Sequence, residues 1–301
     1  MESVLECLPR GARVAVIRLR SLGDCVLTTP ALDILKRDRP DLRLAVAVEP
    51  KFQAVFEELP FVDEILAPGL GGLRRFRPSL CLNLHGGTRS AWMTMGSAAR
   101  FRAGFAHFRN QAAYNVRIPR AQKILGVERS VHTAEHLASA MFYLGAPVVE
   151  IPRATLSARP ATATARCVIH PAAAMPEKTW PAARFLEIAE HVKRSGLEPV
   201  FIGGPTDDLA PFRAFRMIQG APLSEIKSLL AGSSLFLGND SGPAHMAAAF
   251  GLPVVVLFGA SDSAIWGPWR TASEIVSAPG GIASVPVSAV LDALARLRVH
   301  A

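Results

Sequence analysis

Residues 235–262 read LFLGNDSGPAHMAAAFGLPVVVLFGASD, an apolar run, a glycine-rich polar turn, a helical run and a second apolar run, and this order decides the fold. Leu235 to Leu237 has the length of a buried strand, and Gly238 is expected to break it and turn the chain out of the sheet. Asp240 or Ser241 can cap the helix that follows, Pro243 suits its first turn, and Ala244 to Phe250 carries it to a stop at Gly251. Val254 to Phe258 is the next strand. Such a unit points free N–H groups and the positive end of a helix dipole beyond the sheet. That end either holds a phosphate or does no more than open a buried helix capped by Asp240 and Ser241.

Working outward, the theme recurs. Arg13 to Leu19 is an apolar strand, RSLGD at 20–24 a turn, and Val26 to Lys36 a helix with Leu27, Ala31, Ile34 and Leu35 on one face. Leu44 to Val48, Glu64 to Leu66 and Ser79 to Leu84 read as further strands, with a short helix over Phe52 to Leu59 and a clear one over Thr133 to Leu144. Arg153 to Arg166, RATLSARPATATAR, has no apolar period and reads as a linker, dividing the chain at 1–155 and 156–301. A second set follows: strands at Cys167 to His170 and Glu198 to Ile202, and helices at Ala182 to Ser195, Thr206 to Met217, Ser224 to Ala231 and Val287 to Leu297. Alternation of this kind winds into parallel sheets covered by helices, an α/β fold of two Rossmann-like domains. Ligands of such sheets bind at the carboxyl ends of the strands, so RSLGD and GNDSG are expected to face one cleft.

Composition narrows the partners. With 301 residues, 50% of them hydrophobic, the chain has ample material for a core. No apolar run reaches the roughly 18 residues of a membrane span, and the start of the chain lacks a signal-peptide pattern, which reads as a cytoplasmic protein. The four cysteines form no CxxC pair and no metal-ligand spacing, so they read as reduced thiols. The net charge of +8 is concentrated between Pro68 and Arg129, where eleven basic residues stand against one acid, Glu128. That window favours an anionic glycan, a membrane surface or a nucleic acid, or is a solvated arginine-rich face. No nucleic-acid motif accompanies it, which sets that partner aside.

Three segments together, SLGDCVLTTPAL at 21–32, HPAAAMPEKTWPAARF at 170–185 and GNDSGPAHMAAAFGLPVVVLFGASD at 238–262, resemble in order and spacing the signature segments of glycosyltransferase family 9, the ADP-heptose:lipopolysaccharide heptosyltransferases. The resemblance implies a GT-B architecture with the active site between two Rossmann-like domains, inversion at the anomeric carbon, and neither a metal nor another cofactor. It implies that the first domain binds the acceptor, a lipopolysaccharide-core or related glycan, and the second the nucleotide sugar, with possible partners extending to the inner face of the cytoplasmic membrane. Asp24 matches the general base on the acceptor hydroxyl, against the alternative of a helix cap. Lys178 matches a lysine on the donor diphosphate, against an ordinary surface lysine. Asp240 matches the acid near the donor sugar, with Ser241 and Gly242 offering N–H groups. His245 either reaches the phosphates or packs in the core, and Asp207 either contacts the ribose or opens a helix. Arg100 and Arg102 represent the basic window as acceptor contacts. Ala172 to Ala174 depart from the family by offering only backbone. A different nucleotide-sugar donor, a nucleotide-sugar epimerase and a non-catalytic binder are the alternatives.

Overall fold

The computed structural model describes residues 2–159, 164–173 and 175–297, so residues 160–163 of the expected linker and Ala174 lie outside the described residues. The chain forms two compact units, Met1–Ser157 and Ala158–Ala301. The first runs β1 (Arg13–Ile17), α1 (Leu22–Asp38), β2 (Arg43–Ala47), β3 (Glu64–Leu66), α2 (Leu70–Phe76), β4 (Leu80–Asn83), α3 (Thr88–Gly96), β5 (Phe101–Phe105), β6 (Val116–Ile118), α4 (Ala121–Leu125) and α5 (Thr133–Leu144). The second runs β7 (Arg166–His170), α6 (Ala182–Arg194), β8 (Glu198–Gly203), β9 (Arg216–Gln219), α7 (Leu223–Ala231), β10 (Leu235–Asn239), α8 (Gly242–Ala249), β11 (Val254–Leu257), α9 (Ser263–Trp266), β12 (Ser273–Val276) and α10 (Val287–Leu297).

Each unit holds one six-stranded sheet, in the orders β3-β2-β1-β4-β5-β6 and β12-β11-β10-β7-β8-β9. All the pairings are parallel. Counted within its own unit, each order is 3-2-1-4-5-6, the doubly wound Rossmann arrangement. In it the chain reverses direction between the first and fourth strands, so a crevice opens beyond the carboxyl ends of β1 and β4 in one unit and of β7 and β10 in the other.

The central strands are buried on both faces, as parallel strands between helix layers must be: β10 and β11 are buried throughout, LFLGN and VVVL. Helix α6 places Phe185, Ile188, Ala189 and Val192 at helical spacing against the sheet. There they meet Trp180, Phe201 and Phe212, the last two stacked at 4.2 Å. In the first unit α1 is buried through most of its length and packs on α5. It contains Pro30, which cannot donate to Val26 O, and the Thr29 hydroxyl donates to that carbonyl at 2.8 Å instead. The same Thr29 oxygen accepts from Thr155 N at 2.9 Å.

Four expectations need correction. Gly238 does not end the strand but lies inside β10, because a Cβ there would stand 2.7 Å from the His170 carbonyl oxygen on β7. No helix covers Thr206 to Met217: a single turn at Ala210–Phe212, built around Pro211, is followed by the edge strand β9. The expected helix over Phe52 to Leu59 is a short 3-10 turn at Pro50–Val55. The first part of the expected linker is packed, with Ala154 and Leu156 buried on the first unit.

Candidate active site

The crevice of the first unit is built by the loops after β1 and β4. Ser21 occupies the N-cap of α1 and Asp24 is the third residue of the helix, so the cap is Ser21 and the aspartate is its capping-box partner. Asp24 Oδ2 accepts from the Ser21 hydroxyl at 3.1 Å. Asp24 Oδ1 faces Arg18 Nη1 at 3.3 Å. Arg18 is 5% exposed and its Nε donates to Thr28 Oγ1 at 3.1 Å, while that hydroxyl donates to the Asp24 carbonyl at 2.7 Å. A buried guanidinium therefore fixes a half-buried carboxylate from below and leaves its side chain 24% exposed.

Opposite, β4 ends in Asn83, a fully buried amide that ties the loop: Oδ1 accepts from His85 N and Gly86 N at 2.9 and 3.0 Å, and Nδ2 donates to Tyr114 Oη at 2.9 Å. Gly86 has φ +80° and a Cβ would stand 2.5 Å from the Phe108 ring, so glycine is required. The His85 imidazole is held below its usual pKa first by burial and then by the Arg18 and Arg20 guanidiniums, with Asp24 acting in the other direction. Its Nδ1 is buried without a hydrogen-bond partner among the described residues. Cys25 is no nucleophile, since burial pushes its thiol to about 12.

The second crevice follows the same plan. β10 ends in Asn239, fully buried, whose Nδ2 donates to Pro171 O at 2.7 Å and whose Oδ1 accepts from Trp180 N at 3.2 Å. It thus clamps both ends of the loop after β7 that carries Lys178. Lys178 Nζ lies 3.3 Å from Asp240 Oδ2, the lysine side chain 25% exposed and the carboxylate 11%. Ser241 is the N-cap of α8, but its hydroxyl is turned away to His170 Nδ1 at 3.0 Å and makes no cap. Burial lowers the His170 pKa to about 4. The imidazole is therefore neutral at pH 7, and the first turn of α8 from Gly242 presents N–H groups that no side chain caps.

Asp207 closes the turn after β8 by accepting from Gly204 N at 2.7 Å, and does not open a helix. It lines a pocket of about 330 Å³ with Pro171, Ala172, Trp180 and Phe212. His245 is only 5% exposed, so the structure packs it into the core and does not bring it to the surface of the site. Arg100 and Arg102 lie at the amino end of β5, whereas Asp24 lies past the carboxyl end of β1 in the same parallel sheet. Arg102 also donates to the Ala113 and Ala99 carbonyls at 3.3 and 3.2 Å, and the Arg100 guanidinium lies 4.9 Å from the Phe101 ring. The two arginines thus stand at the opposite end of the strands from Asp24, a placement that does not itself test them as acceptor contacts. The structure brings Lys178, Asp240, Ser241 and Gly242 together, with Asp207 across the Pro171 loop from them. Sequence reasoning missed Arg18, Asn83 and Asn239. A charged or amide residue closing an apolar strand is the signal that marks all three.

Among the described residues no group of His, Cys, Asp and Glu is placed to hold a metal ion, and no helix is long and apolar enough to cross a membrane.

The sequence profile of glycosyltransferase family 9 (heptosyltransferase) matches residues 72–284, and the chain belongs to that family. Lipopolysaccharide heptosyltransferase 3 of Escherichia coli K12 is 26% identical over 312 residues, 91% of this chain and 90% of the relative. The enzyme of that name from a second E. coli source is 36% identical over 113 residues, covering 34% of this chain and 33% of the relative. Among solved structures, the family 9 glycosyl transferase of Veillonella parvula superposes with TM-score 0.83 at 22% identity, covering 95% of this chain and 97% of that one. E. coli heptosyltransferase WaaC with ADP-2-deoxy-2-fluoro heptose superposes with TM-score 0.76 at 19% identity, covering 94% and 99%. Both likenesses show the fold, two Rossmann-like units of GT-B type.

Proposed function

We propose that this protein transfers a heptose from ADP-heptose to a hydroxyl of a lipopolysaccharide-core or related glycan, with inversion at the anomeric carbon and without a metal. The observation that carries the reading is the pairing of Lys178 with Asp240 beside the uncapped start of α8, at the strand reversal where Rossmann-like sheets bind ligands. A lysine and a helix N-terminus are what a departing diphosphate needs when no divalent cation neutralises it. Asp240 holds the Lys178 ammonium in place and lies next to the donor sugar. Asp207 and Trp180 line the neighbouring pocket, whose size suits a nucleoside, with the Asp207 carboxylate toward the ribose. The solved heptosyltransferase with an ADP-heptose analogue shares the fold and supports the choice of donor.

In the transfer, Asp24 takes the proton from the acceptor hydroxyl. The acceptor oxygen forms its bond to the anomeric carbon as the bond from that carbon to the diphosphate oxygen breaks, and ADP leaves with the electron pair on Lys178 and the α8 N-terminus. Arg18, 3.3 Å from the Asp24 carboxylate, holds it in place and aimed. The acceptor is an anionic glycan or glycolipid, which places the enzyme at the inner face of the cytoplasmic membrane. Titration calorimetry in EDTA against a panel of nucleotide sugars tests the donor. ADP-heptose should bind most tightly, and preference for a uridine or guanosine sugar would refute that choice.

A further inference from the structure

The first unit carries an apolar surface that its sheet does not use. Helix α3 buries Ala91, Met93 and Thr94 inward, and the outward stripe of such a helix is ordinarily polar. Here that stripe bears Trp92, 63% exposed, and Met95, 42% exposed, three residues on. Leu70, 39% exposed, opens α2 and lies against Gly96, where an added Cβ would stand 2.6 Å from its Cδ2. Arg74 Nε donates to Gly96 O at 3.0 Å, which holds α2 on the turn of α3 that carries Met95. An apolar groove of about 210 Å³ lies between Trp92 and Met95 on one side and Ala112 on the other. Trp180, by contrast, is 1% exposed, so an open indole is not how this chain ordinarily places tryptophan.

The charge beside this face has one sign. Arg74, Arg75 and Arg77 are exposed along and just past α2, and no Asp or Glu occurs between Glu64 and Glu128. Exposed aromatic and aliphatic groups rimmed by guanidiniums match the headgroup layer of a bilayer, the indole among the glycerol groups and the cations on phosphates. A protein partner of opposite charge would satisfy the arginines, but nothing in that rim would tell its acids from lipid phosphates, and the apolar centre fits the acyl boundary.

We infer that the α2–α3 face docks the first unit on an anionic lipid surface, with Trp92, Met95 and Leu70 entering the headgroup region and Arg74, Arg75 and Arg77 on the lipid phosphates. This deepens the transfer reading and rests on it for the expectation of a membrane-borne acceptor.

The test uses the full chain and vesicles of phosphatidylcholine with or without phosphatidylglycerol, free of acceptor. Vesicles containing phosphatidylglycerol should bind the protein at low salt and release it as salt is raised, and phosphatidylcholine alone should bind it far more weakly. Trp92→Ser should weaken binding about tenfold, and Arg75→Gln and Arg77→Gln about fivefold for each charge removed. Brominated acyl chains should quench an emission component that Trp92→Phe lacks, which reads insertion directly. Melting temperatures equal to wild type show that these surface variants fold. Unchanged vesicle binding in Trp92→Ser, no binding by folded wild type, or a Trp92-dependent dimer without lipid would each overturn the inference. Turnover on a soluble, delipidated acceptor separates the two readings. Docking variants should keep it, and a wild type that binds vesicles but transfers to no acceptor refutes the transfer reading while leaving the docking face.

Discussion

Replacing Asp24 by Asn separates chemistry from structure at the proposed base. The amide keeps the shape of the carboxylate and can still accept from Ser21, but it cannot take a proton. It also leaves Arg18, 5% exposed, facing a neutral oxygen where it faced a charge at 3.3 Å. Hydrogen bonds to charged groups contribute about 1.5–3 kcal/mol, and Asp24 is partly exposed while Arg18 keeps its bond to Thr28, so the expected loss is at the lower end, about 1–2 kcal/mol. For a unit of this size that is a fall in Tm of roughly 2–8 °C. Turnover, by contrast, should fall about 10²- to 10⁴-fold, the contribution of a positioned base. Donor affinity should not change, since the donor site belongs to the other unit. The assay is nucleotide release at 25 °C, alongside thermal melting and donor calorimetry on one preparation. A variant that melts lower yet turns over at near the wild-type rate would refute the reasoning and leave Asp24 as the capping-box partner of Ser21 and anchor of Arg18.

Three further outcomes follow from the second unit. Lys178→Ala should lower donor affinity about 10- to 150-fold, as loss of a charge-assisted contact implies, and calorimetry showing normal donor binding would return Lys178 to an ordinary surface lysine. Gly238→Ala should destabilise the protein by about 1–3 kcal/mol in urea unfolding, because the new methyl meets the His170 carbonyl at 2.7 Å, and a silent substitution would show that β7 and β10 can part. Buried His170, with a folded pKa of about 4, is neutral where the unfolded chain near 6.5 takes up a proton. Its contribution to stability is therefore intact above about pH 6.5 and lost as pH falls toward about 4. His170→Asn should flatten the fall in Tm between those limits, and an unchanged pH profile would contradict the assignment.

What could be read from the residues follows from where the signal lies. Long amphipathic or fully apolar segments declared themselves: α5 and α10 run over the residues that their apolar spacing and flanking Pro or Gly mark, and β3 over its three. The strands β5, β6, β9 and β12 did not, because they are short and carry charged or exposed residues such as Arg102, Arg117, Arg216 and Glu274. Strands toward the edges of a sheet are half open to water, so their sequence resembles a loop. Gly238 was misread for a related reason: close approach of two backbones inside a sheet and a break in a strand both call for glycine, and only the position of His170 tells them apart. At the site, Asp24, Lys178 and Asp240 stood out in their segments. Their partners did not, since the Arg18 pair and the Asn239 clamp join residues that only folding brings together. Charge counting gave the sign of the window that holds Arg100 and Arg102, and only the fold shows that they lie at the amino end of β5.

The central claim is transfer of a heptose from an adenine nucleotide sugar, and its most direct measurement is acceptor-dependent nucleotide release in EDTA with the anomeric configuration of the product read by NMR. ADP should appear only when ADP-heptose and a lipopolysaccharide-core acceptor are both present, and the new linkage should be inverted relative to the donor. Release that needs a divalent metal, retention of configuration, or turnover only with another nucleotide sugar would contradict the account.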